Sequence, residues 1–489
     1  MVNQTIAPSR ADRVPRRLVP AAILALMCGA QFIVTLDIAI VNVALPSIRT
    51  DLGLAPSDLQ WVVITYGLML GGLLLLGGRA ADLLGRRRML LLGLGLFALA
   101  SLTAGLSDSF AQLVLSRAVQ GVGAAFTAPA ALAILVWTFP EGAARTKALG
   151  LFGAAGGSAA AVGVVVSGAL TAGPGWAWIF FINVPIVAVL LALVTKYVPA
   201  DGVIQRGRAD IAGAVTVTGG LMAIVYGINK SVERGWTAPS TLGFLIGGAC
   251  ALAVFALIEH RAAEPLMPLS MFRRPTLNAA NLTAAMVFAS FFATIFEASL
   301  LMQQGLGYSP LRTGVAYLAI AGTALVMAGG VAPVILAKVG AGWTLALGEA
   351  CAAAGLVWLA RVPVHAQYWQ DLFPGFLGLG VGVGLSLVAV QVAAFIGIPE
   401  SVSGLAGGMV ETAREMGGAL GTAIVASVAL AVSGTVAAIP DPEALTAGFR
   451  RGSLVAAGFA LVAVVTALTV VRRAERAAGR TEVVPVEVH

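Results

Sequence analysis

The chain has 489 residues, of which 59% are hydrophobic and only 11% are charged, and its mean hydropathy is +0.93. This composition excludes an ordinary soluble multidomain protein, because so much apolar surface needs a lipid bilayer around it. The formal net charge is +7. However, the basic residues lie in short segments between apolar runs, not in a stripe with aromatic residues, which argues against nucleic-acid binding.

The N-terminal segment, 1–17, carries four arginines and precedes an apolar run that starts at Leu18. A secretory signal would end at a small-residue cleavage site, whereas this run continues without one to Pro46. We therefore predict a short N-terminal tail followed by a retained first span.

Apolar runs of about 20 residues, the length needed to cross a bilayer, recur along the whole chain. Fourteen such runs lie near 18–46, 58–78, 89–107, 110–137, 147–171, 176–198, 209–229, 240–259, 277–303, 311–337, 343–361, 372–396, 404–434 and 453–471. The sequence thus predicts an all-α integral membrane protein with about 14 transmembrane helices.

The distribution of basic residues predicts the orientation of these spans. With the N-terminus inside, 21 of the 30 Lys and Arg residues fall in inner segments, 7 fall in outer loops and 2 lie within spans. Because positive charge is retained on the cytoplasmic side, both termini are predicted to be cytoplasmic in a bacterial inner membrane.

The segment after the second span reads G-R-A-A-D-L-L-G-R-R-R, from Gly78 to Arg88. Glycines permit a tight turn between two spans, and Asp82 offers a carboxylate to nearby helix N-termini and arginines. An ordinary positive-inside loop would explain the arginines but not the whole pattern. The segment resembles the loop signature of the major facilitator superfamily, which implies a conformational-switch loop formed by Gly78, Asp82, Gly85, Arg86 and Arg87.

Three further segments narrow the resemblance. They are L-D-I-A-I-V-N-V-A-L-P (36–46), R-A-V-Q-G-V-G-A-A (117–125) and I-F-F-I-N-V-P (179–185). Each is similar to a motif of the fourteen-span drug:proton antiporter family. Together with the number of spans, the resemblance covers essentially the whole chain.

This resemblance implies two pseudo-symmetric six-helix halves with an inserted helix pair. The implied limits are 18–198 for the first half, 199–276 for the inserted pair and its linkers, 277–471 for the second half, and 472–489 for a cytoplasmic tail. The loop from Val198 to Arg208 suits the first junction.

The implied function is export of drugs or antibiotics in exchange for protons, which contributes to resistance. The substrate would be a small lipophilic molecule, with a cationic group as one option. The partners would be protons and the lipid bilayer, the energy source would be the proton gradient without a cofactor, and the protein would be a monomer.

The fifth span departs from the family pattern. The antiporter motif there contains Gly-Pro, whereas this chain has Gly163 followed by Val164. A helix-packing motif formed by Gly153, Gly157, Gly163 and Gly168 is still predicted. The missing proline favours the second transporter hypothesis, a symporter or facilitator for a small metabolite.

Charged residues inside spans are costly and need an explanation. Asp37 in the first span is the first candidate for binding a proton, with a structural helix-capping role as the alternative. Arg117 in the fourth span either senses protonation of a carboxylate or holds helices together.

Four more charged positions inside spans need an explanation. Glu297, close to phenylalanines, is a candidate for binding a lipophilic cation, or else a hydrogen-bonding residue between helices. Glu411 and Arg414 share a helix face in the thirteenth span, as a coupling group or as a buried ion pair. Glu349 is expected to lie at the membrane interface, where its carboxylate would reach water.

Other function classes lack support in the sequence. The cysteines and histidines are scattered, so no metal site is predicted. The phosphate-binding pattern of ATP-driven pumps is absent, and no nucleophile–base pair indicates an enzyme. A membrane enzyme or sensor remains a remote alternative.

Overall fold

The computed structural model describes residues 18–139, 143–200, 210–262, 265, 271, 273–396, 403–433 and 441–481. Within these ranges all regular secondary structure is helical. The predicted tail at 1–17, most of the Val198–Arg208 loop and residues 482–489 of the predicted C-terminal tail lie outside the described residues.

We number the helices by the span that they form. The bounds are α1 Leu18–Leu52, α2 Pro56–Leu84, α3 Arg86–Gly105, α4 Phe110–Thr138, α5 Ala143–Ala172, α6 Trp178–Tyr197, α7 Ile211–Arg234, α8 Pro239–Arg261, α9 Pro275–Gly305, α10 and α11 within Pro310–Leu359, α12 Tyr368–Phe395, α13 Ser403–Ser433 and α14 Pro442–Arg476. Five begin with proline, whose missing N–H costs nothing at a helix start.

Twelve of the described helical segments are long and apolar enough to cross a membrane. One of them, Pro310–Leu359, has 50 residues, which would measure roughly 75 Å as one helix, more than twice the thickness of the hydrocarbon. Its backbone leaves the helical conformation at Gly340 (φ 83°), so α10 lies before this residue and α11 after it. With α5, a 30-residue helix, the described part of the chain forms fourteen helices of this kind, and the predicted all-α membrane fold is confirmed.

The helices form two six-helix halves, α1–α6 (the N half) and α9–α14 (the C half), with α7 and α8 as the inserted pair. The halves meet where α2 packs on α13, α1 on α9 and α5 on α10. Helix α7 packs against α8 and also against α2 and α13, so the inserted pair lies along the seam between the halves.

Hydrogen bonds join the two halves at the predicted outer end of the bundle. Ser299 Oγ donates to the carbonyl of Asn42 at 2.8 Å, and Gln303 Nε2 donates to the carbonyl of Val43 at 2.7 Å. The seam is therefore held closed at this end by direct contacts between α1 and α9.

Candidate functional site

Asp37 lies within α1 and is fully buried. Its Oδ1 accepts hydrogen bonds from Asn183 Nδ2 (2.9 Å) and Gln120 Nε2 (3.2 Å), and its Oδ2 is paired with Arg117. Gln120 Nε2 also donates to Ser101 Oγ at 2.8 Å. We call these five residues the Asp37 centre; they come from α1, α3, α4 and α6.

Arg117 is held from several directions. Its Nε donates to the carbonyl of Val62 at 2.9 Å, and its guanidinium lies 4.3 Å from the centre of the Tyr66 ring. The side chain is 1% exposed. In such a buried ion pair, removal of one partner costs about 3–5 kcal/mol, because the other charge is left uncompensated.

The Asp37 centre gathers residues from the three family-like segments. Asp37 comes from the first, Arg117 and Gln120 from the second and Asn183 from the third. The sequence pointed to Asp37 and Arg117 separately but not to their pairing. Gln120 and Asn183 were missed as site residues although they lie in the motifs, and Ser101 had no signal at all.

A second charged group lies on α13. Arg414 is paired with Glu411 and lies 3.3 Å from Glu415 Oε1, while its guanidinium is 4.8 Å from the centre of the Phe288 ring. The predicted pairing of Glu411 with Arg414 is present. Glu415, which is 2% exposed, was missed because its spacing from Arg414 on the helix gave no sign of a shared face.

A cavity lies on the seam between the two halves, and we call it the central cavity. It is lined by Ile38, Val63, Ile64, Tyr66, Gly67 and Arg117 of the N half and by Phe292, Glu415, Gly418, Ala419 and Thr422 of the C half. Its two charged lining residues, Arg117 and Glu415, come from opposite halves. The central cavity thus touches both the Asp37 centre and the charged group on α13.

Glu297 does not join these groups. It is 8% exposed and lines a different cavity, toward the predicted outer end, together with Arg49, Phe296 and Gln304. Arg49 Nη1 donates to Gln304 Oε1 at 2.9 Å across the seam. Of the phenylalanines near Glu297 in sequence, Phe296 shares its cavity.

The loop between α2 and α3 turns at a single residue, Gly85, whose φ of 106° favours glycine. Asp82 lies 3.7 Å from Arg86, and Arg87 donates to the carbonyl of Thr195 at the end of α6 at 2.7 Å. Gly78 faces Pro129 of α4. The predicted switch loop therefore connects α2 and α3 with α4 and α6 at the predicted cytoplasmic end.

The glycines of α5 differ in their surroundings. A Cβ on Gly163 would lie 2.9 Å from Ala39 Cβ on α1, and one on Gly168 would lie 2.7 Å from Leu311 Cα on α10. A Cβ on Gly153 would meet no atom within 4 Å. The surroundings of Gly157 lie outside the part that the structure describes. Close packing is thus present at Gly163 and Gly168.

The expectation that Glu349 lies at the membrane interface is wrong. Its side chain is 1% exposed, and its Oε1 accepts a hydrogen bond from Ser386 Oγ at 2.7 Å. Since α11 begins only after Gly340, position 349 lies nine residues, or roughly 13 Å, along the helix and within the bundle.

Comparison with known proteins identifies the family. The sequence profile of the Major Facilitator Superfamily matches residues 27–422. The chain is 36% identical over 445 residues to the puromycin resistance protein of Streptomyces alboniger, covering 90% of this chain and 88% of that protein.

Two more relatives cover most of the chain. Identity is 36% over 425 residues to the cephamycin export protein of Amycolatopsis lactamdurans, with 86% of this chain and 87% of that protein covered. It is 34% over 404 residues to the tetracenomycin C resistance and export protein of Streptomyces glaucescens, with 82% and 74% covered.

Solved structures share the fold at low sequence identity. A bacterial homologue of the human lysosomal transporter Spinster, inward-facing and unoccupied, matches with a TM-score of 0.66 and 15% identity, covering 94% of this chain and 99% of that one. A peptide transporter in complex with sulfate matches with a TM-score of 0.67 and 16% identity, covering 95% and 99%.

Proposed function

The chain belongs to the major facilitator superfamily and is a multi-pass membrane transporter rather than an enzyme, and we propose that it exports antibiotics or similar drugs in exchange for protons. Relatives that match over most of the chain carry names of antibiotic resistance or export proteins, which supports this class of substrate.

One observation carries the coupling hypothesis: two charged groups from opposite halves, Arg117 and Glu415, line the same central cavity. In transporters built from two repeats, the substrate binds between the halves and transport moves one half against the other. A charge that changes partner across this seam can therefore couple proton binding to the movement.

The proposed exchange starts at Asp37. When this carboxylate binds a proton, Arg117 loses the negative charge that compensates it, and a buried charge without a partner is strongly unfavourable. Glu415 on the facing wall shares Arg414 with Glu411, so this group has one more carboxylate than cations. Protonation of Asp37 therefore favours movement of Arg117 toward the C half. Release of the proton restores the original pair.

In this conformation the central cavity has a volume of about 20 Å³, room for roughly one water molecule, so a drug can enter only after the two halves move apart. Its lining then suits amphipathic organic molecules. Tyr66 and Phe292 offer aromatic surface, the remaining side chains are mostly apolar, and Glu415 attracts a cationic group. Glu297 belongs to the same pathway in our proposal, as a carboxylate near the outer exit. The loop from Gly78 to Arg87 acts as the conformational switch.

The proposal also includes the location, orientation, energy source and oligomeric state of the protein. The bundle lies in the cytoplasmic membrane with both termini in the cytoplasm, as the distribution of basic residues predicts. The proton gradient is the energy source, no cofactor takes part, and a monomer is sufficient.

Transport into everted membrane vesicles tests this function. With an acidic lumen, labelled puromycin or tetracenomycin C should accumulate in vesicles that contain the wild-type protein, and a protonophore should abolish accumulation. Asp37→Asn and Glu415→Gln should lose most of it. Asp108→Asn, an exposed loop carboxylate, is the matched control and should behave as wild type.

Two other outcomes of the vesicle experiment would indicate a different transport mechanism. Equilibration of the drug without accumulation, unaffected by the gradient, would contradict antiport and favour a facilitator. Accumulation that requires an alkaline lumen would favour a symporter.

A further inference from the structure

Glu349 is a buried carboxyl that the proposed exchange does not use. Its Oε1 accepts one hydrogen bond, from Ser386 Oγ on α12 at 2.7 Å. Its Oε2 is buried and has no hydrogen-bond partner among the described residues. As an anion the group would accept one hydrogen bond only, whereas as an acid it could donate its O–H to Ser386 Oγ, so Oε2 has no partner in either protonation state in this conformation.

The charged groups of the surrounding helices lie elsewhere. Helix α12 contains no Asp, Glu, Lys, Arg or His between Phe373 and Phe395. On α14, the charged side chains are grouped at its two ends. Arg450 donates to the carbonyl of Val362, three residues beyond the end of α11, and Glu475 accepts from the amides of Ala341 and Gly342 at the start of α11. Within the described residues, no cation forms an ion pair with Glu349.

The N half contains the same helix pair without a carboxyl. A Cβ on Gly93 of α3 would lie 2.7 Å from the Gly123 carbonyl of α4, and a Cβ on Gly348 of α11 would lie 3.0 Å from the Gly382 carbonyl of α12. The residue after Gly93 is Leu94, which is fully buried. The equivalent residue after Gly348 is Glu349.

The hydroxyl partners show the same correspondence. Thr127, four residues after Gly123, donates to the Gly123 carbonyl at 2.8 Å. Ser386, four residues after Gly382, donates to Glu349 instead. Since leucine fills this position in the N half, close packing of the helix pair does not require an acid there.

We propose that Glu349 is a proton-binding site inside the C half, which takes up and releases a proton as α11 and α12 change their contact during transport. It is separate from Asp37 and from the charged group on α13. In this proposal the hydrogen bond from Ser386 to Oε1 opens and Oε2 gains a new contact. These changes determine whether the carboxyl is protonated or ionised. The inference rests on the proposed function in one respect, since it takes the transport cycle to be proton-coupled.

Infrared difference spectroscopy of the purified protein tests the site without any substrate. Spectra recorded in acidic and in alkaline buffer should differ by carbonyl bands of protonated carboxyls, one of which comes from Glu349, beside the bands of Asp37 and the other carboxyls. The Glu349 band should be absent in Glu349→Gln and should shift in Ser386→Ala, whose carboxyl loses its hydrogen bond. Glu443→Gln, an exposed carboxylate at the start of α14, should keep the band. Identical difference spectra for wild type and Glu349→Gln would overturn the proposal.

A second measurement tests the role in transport. Addition of puromycin to the protein in weakly buffered detergent solution should change the amount of bound proton, as reported by a pH-sensitive dye. Glu349→Gln should reduce this change by at least a third and keep puromycin binding. If puromycin changes the amount of bound proton equally in Glu349→Gln and in the wild type, the role of Glu349 is overturned but proton coupling stays intact. No change in the wild type would instead contradict the proposed function.

Discussion

The two halves pack their helices in the same way but have different residues at equivalent positions. In the N half, Gly121 of α4 packs against the backbone of α2 at Tyr66 and Leu70; in the C half, Gly380 of α12 packs against α10 at Ile320 and Thr323. Four residues before each glycine stands the residue that faces the interior. It is Arg117 in the N half and Phe376 in the C half.

The partners of these residues show what the difference means. Arg117 lies over the Tyr66 ring, whose hydroxyl donates to the carbonyl of Val34 on α1. Phe376 lies 5.7 Å from Tyr317, whose hydroxyl donates to the carbonyl of Ile295 on α9. Because the C half is assembled with an aromatic pair at this place, the fold does not need the ion pair of the N half.

The turns at the predicted cytoplasmic end form another equivalent pair. Gly85 (φ 106°) and Gly340 (φ 83°) each connect two spans of one half. In the N half an arginine of the turn, Arg87, donates to the end of α6. In the C half the polarity is reversed, since Glu475 of α14 accepts from the backbone amides that begin α11.

The largest expected loss of stability comes from removing only one partner of the Asp37–Arg117 ion pair. Asp37→Ala leaves Arg117 buried without a counter-charge and should destabilise the protein by about 3–5 kcal/mol. Thermal unfolding in detergent measures this loss. The double variant Asp37→Leu/Arg117→Phe places at position 117 the phenylalanine that the C half has at Phe376 and removes the charge at position 37. It should recover most of the stability but none of the transport. Recovery of transport in the double variant would show that the pair is only structural.

A smaller loss of stability is expected when a glycine between two packed helices is replaced, and this loss should be equal in the two halves. Gly123→Val and Gly382→Val force a side chain against a backbone oxygen or methyl group less than 3 Å away. Overpacking of this kind costs about 1–3 kcal/mol. Both variants should lower the unfolding temperature to a similar degree, whereas Gly95→Val, at a position with no atom within 4 Å, should not. A strong effect in one half alone would contradict the equivalence of the two helix pairs.

The smallest effect concerns the turn of the C half. Glu475→Ala removes a carboxylate that accepts from two backbone amides at a helix start, and hydrogen bonds to charged groups contribute about 1.5–3 kcal/mol. We expect a loss near the lower limit, because the group is partly solvated. Arg473→Ala, at an exposed neighbour, is the control. Equal unfolding temperatures for wild type and Glu475→Ala would show that this contact does not stabilise the protein.

The sequence predicted the spans well because each one is a run of predominantly apolar residues, and the separate runs 311–337 and 343–361 predicted α10 and α11. The limits 18–198, 199–276 and 277–471 stay predictions. The sequence could not reveal which charges meet, since Asp37 and Arg117 are 80 residues apart and only packing brings them together. Glu349 was placed wrongly because the start of α11 depends on the conformation of Gly340, which an apolar run does not specify.

Proton movement caused by the substrate in proteoliposomes tests the central claim most directly. Liposomes that contain a pH-sensitive dye and carry an imposed pH gradient are exposed to puromycin. We predict that puromycin accelerates decay of the gradient with the wild-type protein, and that Asp37→Asn still binds puromycin but abolishes the acceleration. Undiminished acceleration in Asp37→Asn would contradict a coupling role for the Asp37 centre.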